Sequence, residues 1–433
     1  MSPDLRPGAF GTAVEFHDAR VDDARLVITL VRTAAGYGAC ALSRAEVVRM
    51  TRAEDGPVTG VVVRDLESGN ELQVRTRGVI IATGVWTEQT QALAQARSGL
   101  RVVASKGTHL VVPKDRIESQ TGLFTRTRDS AVTVVPTPNH WVIGATDTAW
   151  HEPLVHPVPT RADVERLLRD VNGILARPLG TRDVVTSYAG LRPLVRSRRG
   201  HEAGTTRISR EYGIAQAAPG IVSVTGGKLT TYRLMAADAV DFLIGRQHAA
   251  RRPSVTESTP LLGARGWAAM SNQAERIGST YGWTPARVQQ LLDRYGSELP
   301  ELLEMIDEDL TLAAPVQAAP QYLRVEVARA CLAEGAMHLE DIVAHRLRLS
   351  DELADRGAGA VDEVLAIAGP LLGWDAARAA REKQNYLARA EAQAASAQER
   401  NDRDAVARRL QAPDIVPSTL ESNRRSRPRQ VTD

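Results

Sequence analysis

Residues 222–233 read VSVTGGKLTTYR, an apolar run closed by two glycines and a lysine, and YRLMAADAVDFLIG (232–245) follows with helical spacing. The run predicts a buried strand, then a turn, then a helix. In α/β folds such a strand end is where ligands sit. The stretch is not a Walker phosphate loop. That loop needs glycine five positions before its Gly-Lys pair and Ser or Thr directly after it. Val222 and Leu229 occupy those places. Gly226 and Gly227 would still let a backbone approach a ligand closely, because no Cβ intervenes, and Lys228 would bring a positive charge there. The plain alternative is a tight turn carrying a solvated lysine.

Outward from this stretch, GVIIATG (78–84) is short, almost wholly apolar and closed by glycine. It reads as a strand buried on both faces, the parallel core of an α/β sheet, with Thr83 and Gly84 at its end. Sheet core and a simple turn would explain it equally well. From 101 to 147 the runs RVVASKGTHLVVP, LFTRTR, AVTVVPT and HWVIGATD predict an inserted antiparallel sheet. A helix is expected at TRADVERLLRDVNGIL (160–175), and VVTSYAGLRPLV (184–195) reads as a glycine-bearing connector. Upstream, VDDARLVITLVRTAAGYG (21–38) predicts a helix stopped by glycine. ACALSRAEVVRMTR (39–52) predicts a strand, and VTGVVVRD with ELQVRTR a hairpin around LESGN.

GYGACA (36–41) matches the G-x-G-x-x-A form of the dinucleotide fingerprint. A working fingerprint follows a strand and opens a helix. Here a helix precedes and a strand follows, so the motif reads as a helix stop. GAGAVD (357–362) lies within helical sequence and is a second decoy. Beyond about residue 257 strand signals fade, and ARVQQLLDRYG, YLRVEVARACLAEG, HLEDIVAHRLRL and DAARAAREKQNYLARAEAQAASAQ predict a helical domain.

The balance of 54 Lys+Arg against 52 Asp+Glu in 433 residues gives a formal charge of +2 and no argument for nucleic acid as partner. Cys40 and Cys331 have no companions at metal-ligand spacing, which fits a reducing cytoplasm. No apolar stretch approaches the ~20 residues that span a bilayer, and MSPDLRPGAF lacks a signal-peptide core.

The ordered series GVIIATGVW, SKGTHLVVP, HWVIGATDT, YAGLRPLV, ISREYGI and VSVTGGKLTTYR resembles the FAD-dependent glycerol-3-phosphate dehydrogenases, within the D-amino-acid-oxidase-like flavoproteins. The resemblance runs from about Val14 to about Tyr386. EVARACLAEGAMHLEDIVAHRLRL is similar to the family's helical-domain signature.

The resemblance implies an α/β + α architecture with three parts. Residues 1–257 form an FAD-binding, Rossmann-like oxidoreductase domain, incomplete at its amino end, with an antiparallel substrate-binding part at about 100–215. Residues 258–392 form the helical domain, and 393–433 a polar, disordered tail. The family opens with strand, GxGxxG and helix, and this chain starts after them. A start placed too far downstream, a truncated gene or a removed segment would each produce that. A polypeptide lacking this cradle is expected to be poorly soluble and colourless.

Site roles follow from the resemblance. FAD is the implied cofactor and glycerol 3-phosphate the substrate, with a quinone as acceptor and O₂ as the alternative. His109 is the candidate base, since histidine titrates near working pH; an idle strand histidine is the alternative. Lys228 and the backbone of Gly226, Gly227, Leu229 and Thr230 would stabilise charge at the flavin pole. Arg192 and Arg210 would grip the substrate phosphate with their planar guanidinium forks, Arg207 being an alternative to Arg210. Surface ion pairing is the competing explanation for these arginines. Thr83, Gly84 and the backbone of Glu46 would lie along the flavin, and Thr146 and Asp147 would border the pocket. Trp86 is expected in the core. Peripheral contact with the inner face of the plasma membrane and a homodimer complete the expectation. An inactive remnant unable to hold FAD is the competing reading.

Overall fold

The computed structural model describes residues 3–54, 56–126, 131–196, 211–412 and 414–418. The Asp22 carboxylate accepts from the Arg25 N–H at 3.1 Å and so opens α1 (Asp23–Gly36). Gly38 at φ 90° follows the helix, so GYGACA is a helix stop, as expected. β1 (Ala45–Arg52), β2 (Val58–Asp65) and β3 (Glu71–Arg75) form an antiparallel meander. β4 (Val79–Ile81) then leads through the turn at Gly84–Trp86 into α2 (Thr87–Ala92).

The inserted sheet comprises β5 (Arg101–Pro113), β6 (Leu123–Arg126), β7 (Ala131–Pro136), β8 (His140–Gly144) and β9 (Thr148–Ala149), then α3 (Arg161–Asn172) and β10 (Thr186–Arg196). Its order is β10-β5-β8-β7-β6, with β9 paired to β5, and all pairs are antiparallel. One face packs on α3, where Leu110, Val112, Val134, Trp141, Ile143 and Val171 are fully buried. The other face is left for a cleft, the usual division of labour in an antiparallel sheet.

The expected connector at 184–195 is instead a long strand. β10 is the outermost strand of its sheet, a position that tolerates proline, so Pro193 and Gly190 do not interrupt it.

β11 (Tyr212–Ala218), β12 (Ile221–Gly226) and β4 make a separate three-stranded sheet, followed by α4 (Tyr232–Ile244). β12 runs parallel to β4, with Ile221 opposite Val79 and Ser223 opposite Ile81. The ends of GVIIATG and VSVTGGK therefore lie side by side. β11 straddles residue 215 but pairs with β12, so the antiparallel part ends with β10 and not at 215.

The helical half comprises α5 (Arg246–Arg251), α6 (Trp267–Ser271), α7 (Ala274–Tyr281), α8 (Pro285–Tyr295), α9 (Leu299–Glu308), the small hairpin β13 (Pro315–Val316) and β14 (Ala319–Leu323), α10 (Arg324–Leu332), α11 (Leu349–Glu352), α12 (Val361–Leu371), α13 (Ala376–Ser396) and α14 (Asp402–Arg409). Helix α1 docks on this half. Arg25 bridges Glu334 at 2.6 and 2.8 Å with its guanidinium 4.7 Å from the Tyr295 ring centroid, and Arg32 meets Glu298 at 2.7 Å.

The polar tail expected from 393 begins later than its composition suggested. α13 continues to Ser396, and α14 folds back with Ala405 and Val406 buried. Only two apolar side chains of α14 enter a core, which is too few to stand out in so charged a segment. Residues 419–433 lie outside the described part of the chain.

Candidate active site

The site is built on paired residues of β5 and β10. His109 lies opposite Tyr188, Gly107 opposite Gly190, and Ser105 opposite Arg192. Side chains two residues apart share a strand face, so all six positions share one. The His109 ring stacks on Tyr188 with centroids 5.2 Å apart and planes at 17°. The Arg192 Nη1 donates to the Thr146 carbonyl at 2.9 Å.

Two glycines make room for these groups. A Cβ on Gly107 would stand 2.4 Å from the Arg192 guanidinium, and one on Gly144 would stand 2.2 Å from the His109 ring. Thr146 and Asp147 act as supports. The Thr146 hydroxyl accepts from the Thr108 N–H at 2.9 Å, and Asp147 accepts from the Ser105 hydroxyl.

Burial, reinforced by the Arg192 charge, pushes the His109 imidazole down to about 4. His109 is therefore neutral at pH 7, with a basicity well below that of a free histidine. The ordinary titration expected from the sequence is overturned by this enclosure.

β10 also gathers the other two motifs. Gly84, at φ 53°, faces Pro193, whose Cγ would lie 4.0 Å from a Cβ there. Gly226 and Gly227 adopt φ of 83° and 78°, in the left-handed region that favours glycine. A Cβ on Gly226 would stand 2.6 Å from Val195, and one on Gly227 would stand 2.4 Å from the Met235 sulfur. The glycine faces expected to admit a ligand thus press against protein. The pair is needed by the backbone geometry and packing of the turn itself.

Beyond it, Lys228 is exposed and caps the turn Leu229–Thr231 that runs into α4. At such a helical start the N–H groups of Leu229 and Thr230 have no acceptor within the helix. Just before the glycines, the buried Thr225 hydroxyl has no hydrogen-bond partner among the described residues.

Leu229, His109 and Tyr188 line a cleft of about 840 Å³ between this sheet face and the helical half, where Trp267, Tyr295 and Arg348 form part of the far wall. Three arginines along it are ion-paired: Arg25 with Glu334, Arg294 with Glu326, and Arg348 with Asp23. Among the described residues no group of three His, Cys, Asp or Glu is placed to hold a metal.

Of the expected site residues His109 and Leu229 line this cleft, while Arg192, Thr83, Gly84, Thr146, Asp147, Gly226, Gly227, Lys228 and Thr230 do not. Glu46 lies on β1 of the separate meander, where its carboxylate accepts from the Ser418 hydroxyl at 2.7 Å, and it does not line the cleft. Arg210 and its alternative Arg207 lie outside the described residues. Trp86 is 38% exposed, and Val85 beside it takes the buried place. Tyr188 was missed by the sequence reading. Once 184–195 is read as a strand, its two-residue alternation with Arg192 reveals it.

Comparison with known proteins agrees with this architecture. The family described as FAD dependent oxidoreductase matches residues 1–233, and the C-terminal domain of alpha-glycerophosphate oxidase matches 254–379. Glycerol-3-phosphate dehydrogenase 2 of Mycobacterium tuberculosis is 45% identical over 421 residues, covering 97% of this chain and 71% of that protein. Glycerol-3-phosphate dehydrogenase of Mycobacterium leprae is 43% identical over the same shares. The X-ray structure of the glycerol-3-phosphate dehydrogenase from Bacillus halodurans complexed with FAD superposes with a TM-score of 0.72 at 24% identity, over 85% of this chain and 72% of that one. The chain belongs to the FAD-dependent oxidoreductases of the glycerol-3-phosphate dehydrogenase family.

Proposed function

We propose that the chain serves the oxidation of sn-glycerol 3-phosphate to dihydroxyacetone phosphate, with electrons passed to a quinone. The observation that carries this reading is the convergence on β10 of the β4 end, the β12 end and the His109–Arg192 face of β5. Names of the relatives supply the substrate.

The residues present fit the ring end of FAD. Lys228, the N–H groups of Leu229 and Thr230, and the Thr225 hydroxyl, which has no partner among the described residues, offer polar groups at the end of β12, the strand paired with β4. When bound, FAD supplies the two-electron acceptor for the hydride that leaves carbon 2. His109, neutral at pH 7, accepts the proton of the substrate hydroxyl at a ring nitrogen, and its stack on Tyr188 fixes the ring plane. Arg192 holds the phosphate or the developing oxyanion with a fork that Gly107 leaves free to lie across β5. Lys228 and the adjacent N–H groups place positive charge where negative charge accumulates, as an oxyanion hole does. Arg210 would complete the phosphate grip.

One observation favours a second reading, in which this polypeptide alone does not hold FAD. Among the described residues β4 pairs with β12 on one side only, and Leu234, Val240, Phe242 and Ile244 of α4 are exposed. Peripheral contact with a membrane would bring the site to its quinone. None of the helices among the described residues is long and apolar enough to cross a membrane.

Purifying the 433-residue chain, adding FAD, and recording anaerobic bleaching on addition of glycerol 3-phosphate separates the readings. Bleaching followed by reoxidation with a soluble quinone supports the first. Peroxide formation in air with no response to quinone points to O₂ as acceptor. Failure to retain FAD at any concentration sinks the first reading for this polypeptide.

A further inference from the structure

Strand β5 has a second face. Between Ser105 and Gly107, Lys106 points away from the cleft and is 1% exposed. A buried ammonium is tolerated only where carboxylates and hydrogen bonds compensate for the lost water. Its Nζ lies 2.5 Å from Asp163, bonds Asp402 as well, and sits 5.6 Å from the Trp150 ring centroid. Asp163 is already engaged in the capping box that opens α3, accepting from the Thr160 N–H at 2.9 Å and from its hydroxyl at 2.8 Å. Asp402 arrives from the first turn of α14, 296 residues further along.

Around this cluster Ala405 and Val406 of α14 join Val85, Ala104, Trp150 and Val158 in one core, with Leu191 against it. Two of these are chain neighbours of the site: Val85 follows Gly84, and Leu191 precedes Arg192. The segment is fastened elsewhere too. The Arg161 N–H donates to the Glu399 carbonyl at 2.8 Å, His156 Nε2 lies 2.7 Å from the Asp414 carboxylate, and Arg389 lies 3.3 Å from it. The segment's own partners in these contacts, Glu399, Asp402, Ala405, Val406 and Asp414, lie beyond residue 379, where the match to the C-terminal family domain ends.

We propose that residues 397–412 form a positioning strap, docked behind β5 and β10 through Asp402 and Val406, that holds Arg192 and the Gly84 turn in place. The physical link is short. Neighbouring side chains of a strand project to opposite faces, so a shift of Leu191 or Lys106 at the back moves Arg192 or Gly107 at the front. A displacement of about 1 Å at a reacting group is enough to cost on the order of a hundredfold in rate. The catalytic consequence rests on the function proposed above. Placement of Arg192 and Gly84 does not, and it is measurable without turnover.

The test uses the full chain carrying Asp402→Asn, with Asp402→Glu as the conservative control. Hydrogen exchange by mass spectrometry reads β5 and β10, and NMR of histidine-labelled protein reads His109, assigned by its loss in His109→Gln. Asp402→Asn is expected to speed exchange in β5 and β10 about tenfold or more, while α7 to α9 keep their protection. The His109 titration is expected to move up from about 4 toward the ordinary value as Arg192 withdraws. Asp402→Glu restores both. Exchange that changes only within 397–412, with His109 unmoved, overturns the proposal and leaves the segment a mere cover. If Asp402→Asn loses protection everywhere, Val406→Ala, which leaves every charge in place, decides the matter by the same two readouts. Turnover that survives Arg192→Ala would defeat the functional reading while leaving the exchange result standing.

Discussion

The front and back of β5 are built from the same strand and treat polarity in opposite ways. At the back, Lys106 meets two carboxylates and Trp150, and its charge is compensated in a dry setting. At the front, Gly107, Gly144 and Gly190 leave space, and His109 is pressed into its neutral form by burial and the Arg192 charge. Ion pairing at the back gives rigidity, while the space at Gly190 and the cleft beside His109 and Tyr188 leave room for a ligand at the front.

The comparison breaks most severely at its back face. Lys106→Met should cost about 3 kcal/mol, because the buried Asp163 charge loses its counter-charge and keeps only its bonds to Thr160. Urea denaturation reads this, and a Lys106→Met chain as stable as wild type would show that the cluster stabilises nothing. Removing both carboxylate charges in that background (Asp163→Asn with Asp402→Asn) should recover part of the loss.

At the front, Arg192→Ala should reduce turnover of glycerol 3-phosphate by about 10²–10³, with little change in the denaturation midpoint. A large drop in stability with turnover intact would reverse the assignment of the two faces. Gly107→Ala is a milder probe, since the obstructing atoms belong to the flexible end of Arg192. A roughly tenfold loss in kcat/KM with unchanged stability is expected, on the scale of a small misplacement of a reacting group.

The smallest effects are in pH. The folded pKa of His109 is below its unfolded value, so between about 4 and the ordinary ~6.5 the unfolded chain binds the extra proton. Its contribution to stability is complete above ~6.5 and is lost as pH falls toward 4. His338 has the opposite sign. Burial works against its charge, but Glu382 at 2.8 Å and Glu67 at 2.6 Å outweigh it and raise its pKa. Its contribution is complete below ~6.5 and fades as pH rises through the raised value. Denaturation midpoints against pH for His109→Asn and His338→Asn should therefore diverge from wild type with opposite slopes. Parallel profiles would refute both assignments.

Much of the fold was legible because local periodicity and burial agree. The helix at 23–36, the hairpin around 66–70 and the parallel character of β4 follow from patterns that tertiary contacts reinforce. The reading failed where position in the sheet overrode residue type. Gly190 and Pro193 look like strand breakers, yet an edge strand accepts both. It failed again at α14, whose charged sequence resembles a solvated tail because its decisive contacts are one buried ion pair and two small apolar side chains.

The candidate site shows the same division. VSVTGGKLTTYR pointed to a ligand-facing strand end, and the register of β12 on β4 sets that end beside GVIIATG. The sequence could not show that its glycines face Val195 and Met235, since a positive φ and a close approach look alike in one dimension whichever neighbour fills the space.

The sequence by itself determined the element types, their order and the cluster of motifs that marks the family, because these rest on local propensity and spacing. Tertiary structure alone decided which face of β5 is chemically open, how far His109 is moved from its ordinary basicity, and that residues near 402 support residues near 106. Those properties depend on burial and on distances between atoms hundreds of residues apart, and chain order does not encode either one locally.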